Sequence, residues 1–341
     1  MKAVTIDGYG LENVAVRELP EPRPGAGELI VRMRGGALNH LDLWTLEDAL
    51  GIKHEFPHVL GADGAGEVAE LGPGLRAPHV GTRVMIDPAL SCGGCEFCLA
   101  GEQSLCTTFR MMGEHTGGTL AELVAVPATN VYPLPEHLSF EEGAALGTTF
   151  ITAYRMLFAR GRLRPGEWIL ITGIGGGLAL SLFQLARPIA GKVFVTSSSD
   201  EKLERARKLG ADGVVNYKDE DVGKAIRGLT GKRGVDLVVD SAAGSSLDAS
   251  LRALRKGGRL VNAGATAGSP APVDVRRLFW NQLELIGSTM GSVRDVSDML
   301  RAVAGSRMRP IIDRTYPMDD AATALGQLKA GDHFGKIVLT I

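Results

Sequence analysis

Cysteine is absent from this 341-residue chain except in one stretch, "CGGCEFCLAGEQSLC" at 92 to 106, which holds all four. No disulfide can therefore link distant parts of the sequence. An excess of charge is also lacking: 37 Lys and Arg stand against 39 Asp and Glu, a net −2. That balance leaves no electrostatic footprint for nucleic acid or an anionic membrane. No uninterrupted apolar run approaches the roughly 20 residues that span a bilayer, and the start, "MKAVTIDGYG", lacks the apolar core of a signal peptide. The expected location is cytoplasmic. In a reducing compartment, clustered cysteines bind metal or do redox work more often than they form disulfides.

What is present fits two packed domains: 45% hydrophobic residues and 45 glycines in a chain of this length. The cysteines follow C-x2-C-x2-C-x7-C. Four deprotonated sulfurs fill the tetrahedral shell of Zn²⁺ and leave no position for a substrate. Cys92, Cys95, Cys98 and Cys106 are thus expected to hold one structural Zn²⁺, with Gly93 and Gly94 letting the backbone curl around it.

Further along, "GEWILITGIGGGLALSLFQLA" (166 to 186) runs from an apolar β-branched segment through a glycine cluster into a helix-period stretch. That is the strand, phosphate loop and helix of a dinucleotide fold, where glycines let the backbone approach a pyrophosphate at the helix N-terminus. The runs "KVFVTSSS", "DGVVNY", "VDLVVDSA", "GRLVNAGA" and "LELIGSTMG" follow, separated by helical stretches such as "DEKLERARKLG". Six strands alternating with helices predict a Rossmann domain. The first 130 residues instead read as short strands broken by "PEPRPGAGE", "GPGL" and "DPAL" turns, a β-rich domain. Beyond residue 291, "VSDMLRAVAG" and "DDAATALGQLKAG" read as helices and "GKIVLTI" as a closing strand.

The order of these features, with "PEPRPGAGELIVRM", "HVLGADGAGEVAELGPG", "GTRVMIDP", "GGTLAELVAVP", "LTGKRGVDLVVDSAAG" and "HFGKIVLTI", resembles the medium-chain dehydrogenase/reductase superfamily over essentially the whole chain. The resemblance implies an α/β protein: a GroES-like β-rich catalytic domain over 1–149 with a zinc lobe at about 91–107, a Rossmann doubly wound parallel sheet over 150–290, and a return to the catalytic domain over 291–341. It likewise implies a homodimer or homotetramer acting on a small molecule. For the cofactor it points to Gly173, Gly176, Gly177, Leu178, Gly264, Thr266, Ser288, Thr289 and Lys336.

One departure from the superfamily's zinc alcohol dehydrogenases bears on mechanism. Where they write G-x-C-x-x-D this chain has "ALNHLD", with Asn39 at the cysteine's place; where they write G-H-E-x-x-G it has "GADGAG", with Ala62 and Asp63; a further cysteine is matched by Thr148. Amide, methyl and hydroxyl do not make a catalytic zinc site. "ALNHLDLW" resembles instead the quinone oxidoreductase and enoyl reductase branch, which needs no catalytic metal. Hydride addition to the β-carbon of an enone or enoyl ester builds charge on the carbonyl oxygen, which hydrogen-bond donors can stabilise. Asn39 and Thr152 are the expected donors, His40 is expected to touch the pyrophosphate or relay a proton, and Asp42 reads as structural. Two alternatives stay open. One is an alcohol or aldehyde dehydrogenase with an unorthodox metal site drawn from His40, His54, His58, Asp63, Glu114 and His115; the other is a cofactor-binding protein without turnover.

The end of the second Rossmann strand, "VTSSSDEK", carries Ser197 at the approximate position where NAD enzymes place an acid for the ribose hydroxyl. Ser197, Ser198 and Lys202 can receive a 2′-phosphate, and Tyr217 in "VVNYKDED" matches a tyrosine of the reductase branch that lies against it. The expected cofactor is NADP(H). Asp200 and Glu201 read as first-turn acids favoured by the helix dipole.

Overall fold

The computed structural model describes every residue except 49, 50 and 245, and the chain divides into two compact units. Met1–Ile151 with Gly291–Ile341 form the first, and Thr152–Met290 the second.

The second unit holds six parallel strands, Trp168–Ile171, Lys192–Ser197, Gly213–Asn216, Val235–Asp240, Leu254–Asn262 and Glu284–Gly287. Numbered along the chain they lie in the order 3-2-1-4-5-6, each paired in parallel with its neighbours. The predicted Rossmann alternation is therefore present strand for strand. Its central strands are buried because helices cover both faces: every residue of Val235–Asp240 is buried, Asp236 and Asp240 included. Phe194, Ile226, Val238, Leu251 and Leu260 pack in one core between sheet and helices. The strand order reverses between the first and fourth strands, and the carboxyl ends beside that point are where such folds take a dinucleotide.

In the first unit, Glu28–Ala37 is the organising strand. It pairs antiparallel with Asp63–Leu71, Leu123–Pro127 and the closing strand Lys336–Thr340. Contact with Asp63–Leu71 is close enough that a side chain at Gly66 would meet the Arg32 carbonyl oxygen at 2.1 Å. After Ala37 the chain turns into the helix His40–Leu46, and the Leu38 N–H donates to the Ile337 carbonyl at 2.9 Å. Lys336 is thereby brought beside Asn39. The helices expected in the tail are Val293–Ser306 and Ala321–Ala330. One element had no warning in the sequence: the helix Gly147–Tyr154 runs on into a π-helical turn, Arg155–Arg160.

Candidate functional site

The four cysteines come together as their spacing predicts. Their sulfurs all lie within 4.8 Å of one another, and none is in a disulfide. Tetrahedral ligands about 2.3 Å from a zinc ion stand ~3.8 Å apart, so the group fits a closed metal site. Backbone N–H groups point at the sulfurs, Cys92 N to Cys106 Sγ and Cys95 N to Cys92 Sγ, both at 3.3 Å. Such donors favour thiolate. N–H groups of Cys98 and Thr107 bring the Cys95 thiol down to about 6, and that of Cys92 helps bring Cys106 to about 7.

The glycine loop also has the shape its proposed ligand requires. Gly173 and Gly175 sit at φ +69° and +121°, and a side chain at Gly176 would meet nothing nearer than the Gly173 carbonyl at 4.0 Å. The helix Gly177–Ala186 begins there with no side-chain cap, so the N–H groups of its first turn, at Gly177 and Leu178, face outward for an anion. Thr196 Oγ1 accepts from Gly173 N at 3.2 Å, and Thr172 Oγ1 donates to Asp240 Oδ1 at 2.8 Å, pinning the loop to the second and fourth strands. At the carboxyl ends of the neighbouring strands, Asp240 Oδ2 and Ser288 Oγ are buried without a hydrogen-bond partner among the described residues, as expected where a ligand or water completes the set. Gly264 is half-buried there, while Thr266 and Thr289 are exposed.

Around the second strand's end, Ser197 is buried and its Oγ accepts the Ser199 N–H at 3.3 Å. Ser198 is half-buried and Tyr217 exposed. Lys202 lies over the loop: a side chain at Gly175 would come within 2.7 Å of its Cδ. Sequence reasoning missed Asn216, whose Nδ2 donates to Asp200 Oδ1 at 2.9 Å and holds that carboxylate toward the third strand. Asn216 ends that strand in register with Ser197. Its place directly before Tyr217 in "VVNYKDED" was the one local signal that could have found it.

In the first unit, Asn39, Asp63, Thr148 and Lys336 form one buried polar network. Asp63 Oδ1 accepts from Thr148 N at 2.6 Å and Thr148 Oγ1 at 2.7 Å; Asp63 Oδ2 accepts from Asn39 Nδ2 at 2.9 Å and Lys336 Nζ at 3.2 Å. Gly147 makes room for this carboxylate, since a Cβ there would fall 2.3 Å from Oδ1. Asn39 Nδ2 spends its other N–H on the Ala37 carbonyl at 3.2 Å, and Asn39 Oδ1 accepts from Lys336 Nζ at 2.7 Å. The amide has no N–H left for a substrate, so the donor role expected of Asn39 does not match its hydrogen bonding. Lys336, expected from the resemblance to serve the cofactor, is 4% exposed here, its third N–H donated to the Leu38 carbonyl at 2.7 Å.

The other two expected catalytic residues are less committed. Thr152 is buried, and among the described residues its hydroxyl donates to Met290 Sδ at 3.5 Å, a weak acceptor. His40 opens its helix with the ring edge-on to Trp44. Burial and the Lys336 charge hold its pKa below the usual imidazole value, so it is neutral at pH 7. Asp42 closes the helix's first turn, accepting Asn39 N at 2.7 Å.

The histidines weighed as an unorthodox metal site do not assemble into one. Among the described residues, the cysteines are the one group of three or more His, Cys, Asp or Glu side chains with ligand spacing. His54 and His58 have ring centroids 4.5 Å apart, inclined at 54°, and direct Nε2 to the carbonyls of Glu114 and Gly113 at 2.8 and 3.0 Å. They tie one loop to another.

Comparison with known proteins agrees with this architecture. The alcohol dehydrogenase GroES-like domain matches residues 25–136, and the zinc-binding dehydrogenase family matches 177–305. An alcohol dehydrogenase of Geobacillus stearothermophilus is 31% identical over all of both chains, and an acryloyl-coenzyme A reductase of Metallosphaera sedula 29% identical over all of both. The crystal structure of an NAD-dependent alcohol dehydrogenase superposes over the whole of both chains with a TM-score of 0.95 at 40% identity. With the two-domain fold and full-length similarity together, this chain belongs to the zinc-type alcohol dehydrogenase-like branch of the medium-chain dehydrogenase/reductase superfamily and is an oxidoreductase.

Proposed function

We propose that the chain reduces an activated carbon–carbon double bond, in an enone, enoyl or quinone-like small molecule, with NADPH and without a catalytic zinc. The network around Asp63 carries this reading. The positions that match the family's metal ligands offer an amide, a methyl and a hydroxyl, and four N–H and O–H donors already fill the Asp63 carboxylate. That donor set does not fit Zn²⁺. NADPH, when bound, supplies the hydride. The Thr152 hydroxyl, held only by a thioether, can turn to the carbonyl oxygen as charge develops there. His40, neutral at pH 7, can pass a proton between solvent and substrate. The acryloyl-coenzyme A reductase relative bears a name of this chemistry, whereas the alcohol dehydrogenase relatives favour a carbonyl or alcohol substrate. A panel of enones, enoyl thioesters, quinones, aldehydes and alcohols, run with both nicotinamides, decides between them. Turnover confined to aldehydes and alcohols would sink the proposal, and cofactor binding without any turnover would indicate a binding module.

The cysteine lobe is proposed to hold zinc as a structural ion. Purified protein is expected to contain about one zinc per chain by atomic emission. A reproducible content near two would revive a second, catalytic metal. Cys95→Ser is expected to expose the lobe to proteolysis, because binding energy in such a site is folding energy.

A second copy of the chain is proposed to cover the edge of the Rossmann sheet. The sixth strand is an edge strand, Leu285 on it is 41% exposed, and Val275, Phe279 and Trp280 on the preceding helix are 65%, 64% and 74% exposed. An apolar, unpaired edge of this kind invites pairing. Sedimentation at micromolar concentration is expected to give a dimer or tetramer, and Leu285→Lys with Trp280→Lys to shift it toward monomer. A monomeric wild type would exclude this interface.

A further inference from the structure

We propose that the amino-end face of the Rossmann sheet is a docking surface for single-stranded nucleic acid, separate from the cofactor site. The even charge of the whole chain, which leaves no overall footprint for a polyanion, divides unevenly between the units. Residues 152–290 carry 21 of the 37 Lys and Arg but 13 of the 39 Asp and Glu, a net +8; the first unit holds the rest, a net −10. Charge so divided marks the basic part as the place for an anionic partner.

Much of the excess lies at one edge. In a parallel sheet all amino ends point the same way, opposite the carboxyl ends that face a dinucleotide. Lys192 opens the second strand in register with Trp168, which opens the first. Arg233 stands two residues before the fourth strand, and Arg255 and Lys256 lie at the start of the fifth. The strand order 2-1-4-5 sets these side chains in one row, about 15 Å long at the spacing of neighbouring strands. Arg164, Arg187 and Lys232 stand in the segments that lead into the first, second and fourth strands. The acids of this face are already engaged: Asp236, its side chain 3% exposed, pairs with Arg233 at 2.8 Å and with Arg255, Glu167 pairs with Arg259, and Asp212 Oδ2 accepts the Val193 N–H at 2.8 Å. Among the described residues no acid pairs with Arg164, Arg187, Lys192, Lys232 or Lys256, and all but Lys192 are exposed.

The occupant follows from the aromatic in the row. Lys192 Nζ and Arg233 Cζ lie 4.6 and 4.7 Å from the centroid of the Trp168 ring, held there by cation–π attraction. The Arg233 side chain, 41% exposed, thus offers a charged plane fixed against an indole. Bases of unpaired strands stack on guanidinium and aromatic planes while cations follow the phosphates. An acidic side chain or a lipid phosphate has no plane to stack. The sixth strand lies beyond this row and stays open to the second copy proposed above.

The test is fluorescence anisotropy with a labelled single-stranded RNA of about 20 nucleotides, longer than one site of this kind. Its duplex form, poly-glutamate and phosphatidylserine vesicles serve as competitors. Wild type is expected to bind the RNA with a Kd of roughly 1–100 µM at physiological salt, and log K to fall against log salt with a slope of about −3, as for four or five phosphates. Lys232→Glu with Lys256→Glu is expected to weaken binding about tenfold or more and to flatten the slope by at least about 1.4, with NADPH binding and thermal unfolding unchanged. Arg233→Lys, which keeps the charge and loses the plane, should weaken RNA about fivefold or more and leave the slope unchanged. Saturating NADPH should alter the RNA Kd by no more than about twofold, since the two sites lie at opposite ends of the strands. Displacement of the RNA by NADPH would overturn the proposal, as would a double variant that binds like wild type or no binding at about 100 µM. Equal affinity for the duplex would remove the stacking role, and tighter capture of poly-glutamate or vesicles than of RNA at equal charge would assign the face to an acidic protein or a membrane; either result overturns it too. Should the double variant not fold, Arg164→Gln with Arg187→Gln decides in its place.

Discussion

Lys202→Ala is expected to weaken NADPH binding by roughly ten- to a hundredfold, while NADH binding changes by no more than about twofold. The 2′-phosphate is the one difference between the two cofactors, and a hydrogen bond to a charged group contributes about 1.5–3 kcal/mol. The Lys202 stem lies across Gly175, where no side chain stands in the way, and this is the ground for proposing it as the phosphate's partner. Asp200 is the residue that could reverse the preference by accepting from a ribose hydroxyl instead. Its carboxylate accepts from Asn216 Nδ2 at 2.9 Å. Ser197→Asp is expected to shift preference toward NADH, through repulsion of the phosphate and a new ribose hydrogen bond. Asn216→Ala should move discrimination the same way more weakly, by freeing Asp200. Fluorescence titration of both cofactors against wild type and the three variants checks each statement. Tighter NADH binding by the unmodified protein would end the NADPH assignment, and the NAD-dependent relative makes that comparison the first to run.

The sequence carried the features that depend on local pattern. Six apolar runs announced six strands because a parallel sheet is buried on both faces, and four cysteines within fifteen positions could meet whatever the rest of the fold did. Long-range partners were less legible. Asn39 was recognised by position, but its lack of a free N–H follows from Lys336, 297 residues away in sequence. Asp63 was legible as a replacement at a ligand position and as a candidate ligand of an unorthodox metal site; that it accepts from three separate segments depends on Gly147 allowing close approach. Lys336 shows which part of a side chain's setting a local motif carries. The motif "GKIVLTI" located the closing strand correctly, while pairing of that strand with Glu28–Ala37 decided where its first side chain would lie. Asn216 and Asp200 are sixteen residues apart and meet through strand register, which no local pattern displays.

Stability is expected to fall as pH rises from about 4 to about 7, and Asp87→Asn is expected to remove much of that loss. Asp87 is 4% exposed, and burial, with the Asp63 charge adding to it, raises its carboxyl to about 7. Burial likewise raises Asp42 to about 7, against the N–H of Asn39 and the Lys336 charge. In the unfolded chain an aspartate ionises near ~3.9. Between the two values the folded state holds protons that the unfolded state has released, so raising the pH favours unfolding; above about 7 both states are ionised and the effect is constant. A displacement of this size corresponds to on the order of 2–4 kcal/mol per group once relaxation of the site is allowed for. Asn at position 87 keeps an oxygen for the Ala89 N–H, now accepted by Asp87 Oδ1 at 3.1 Å, and has no charge to bury. The variant's advantage over wild type should widen from pH 5 to pH 7 and stay constant at pH 8. Acids with lowered pKa act in a different window. The Lys224 N–H and Arg252 hold Asp221 down, and Arg233 and Arg255 outweigh burial at Asp236, so their contribution disappears only as pH falls below about 4. The zinc binding proposed for the cysteines would also depend on pH, but it is common to both proteins and cancels in their difference. Urea unfolding of wild type and Asp87→Asn at pH 5, 6, 7 and 8 measures that difference directly. Curves that run parallel across the range would show that Asp87 is ionised in the folded protein at pH 5, and that another group stabilises its charge.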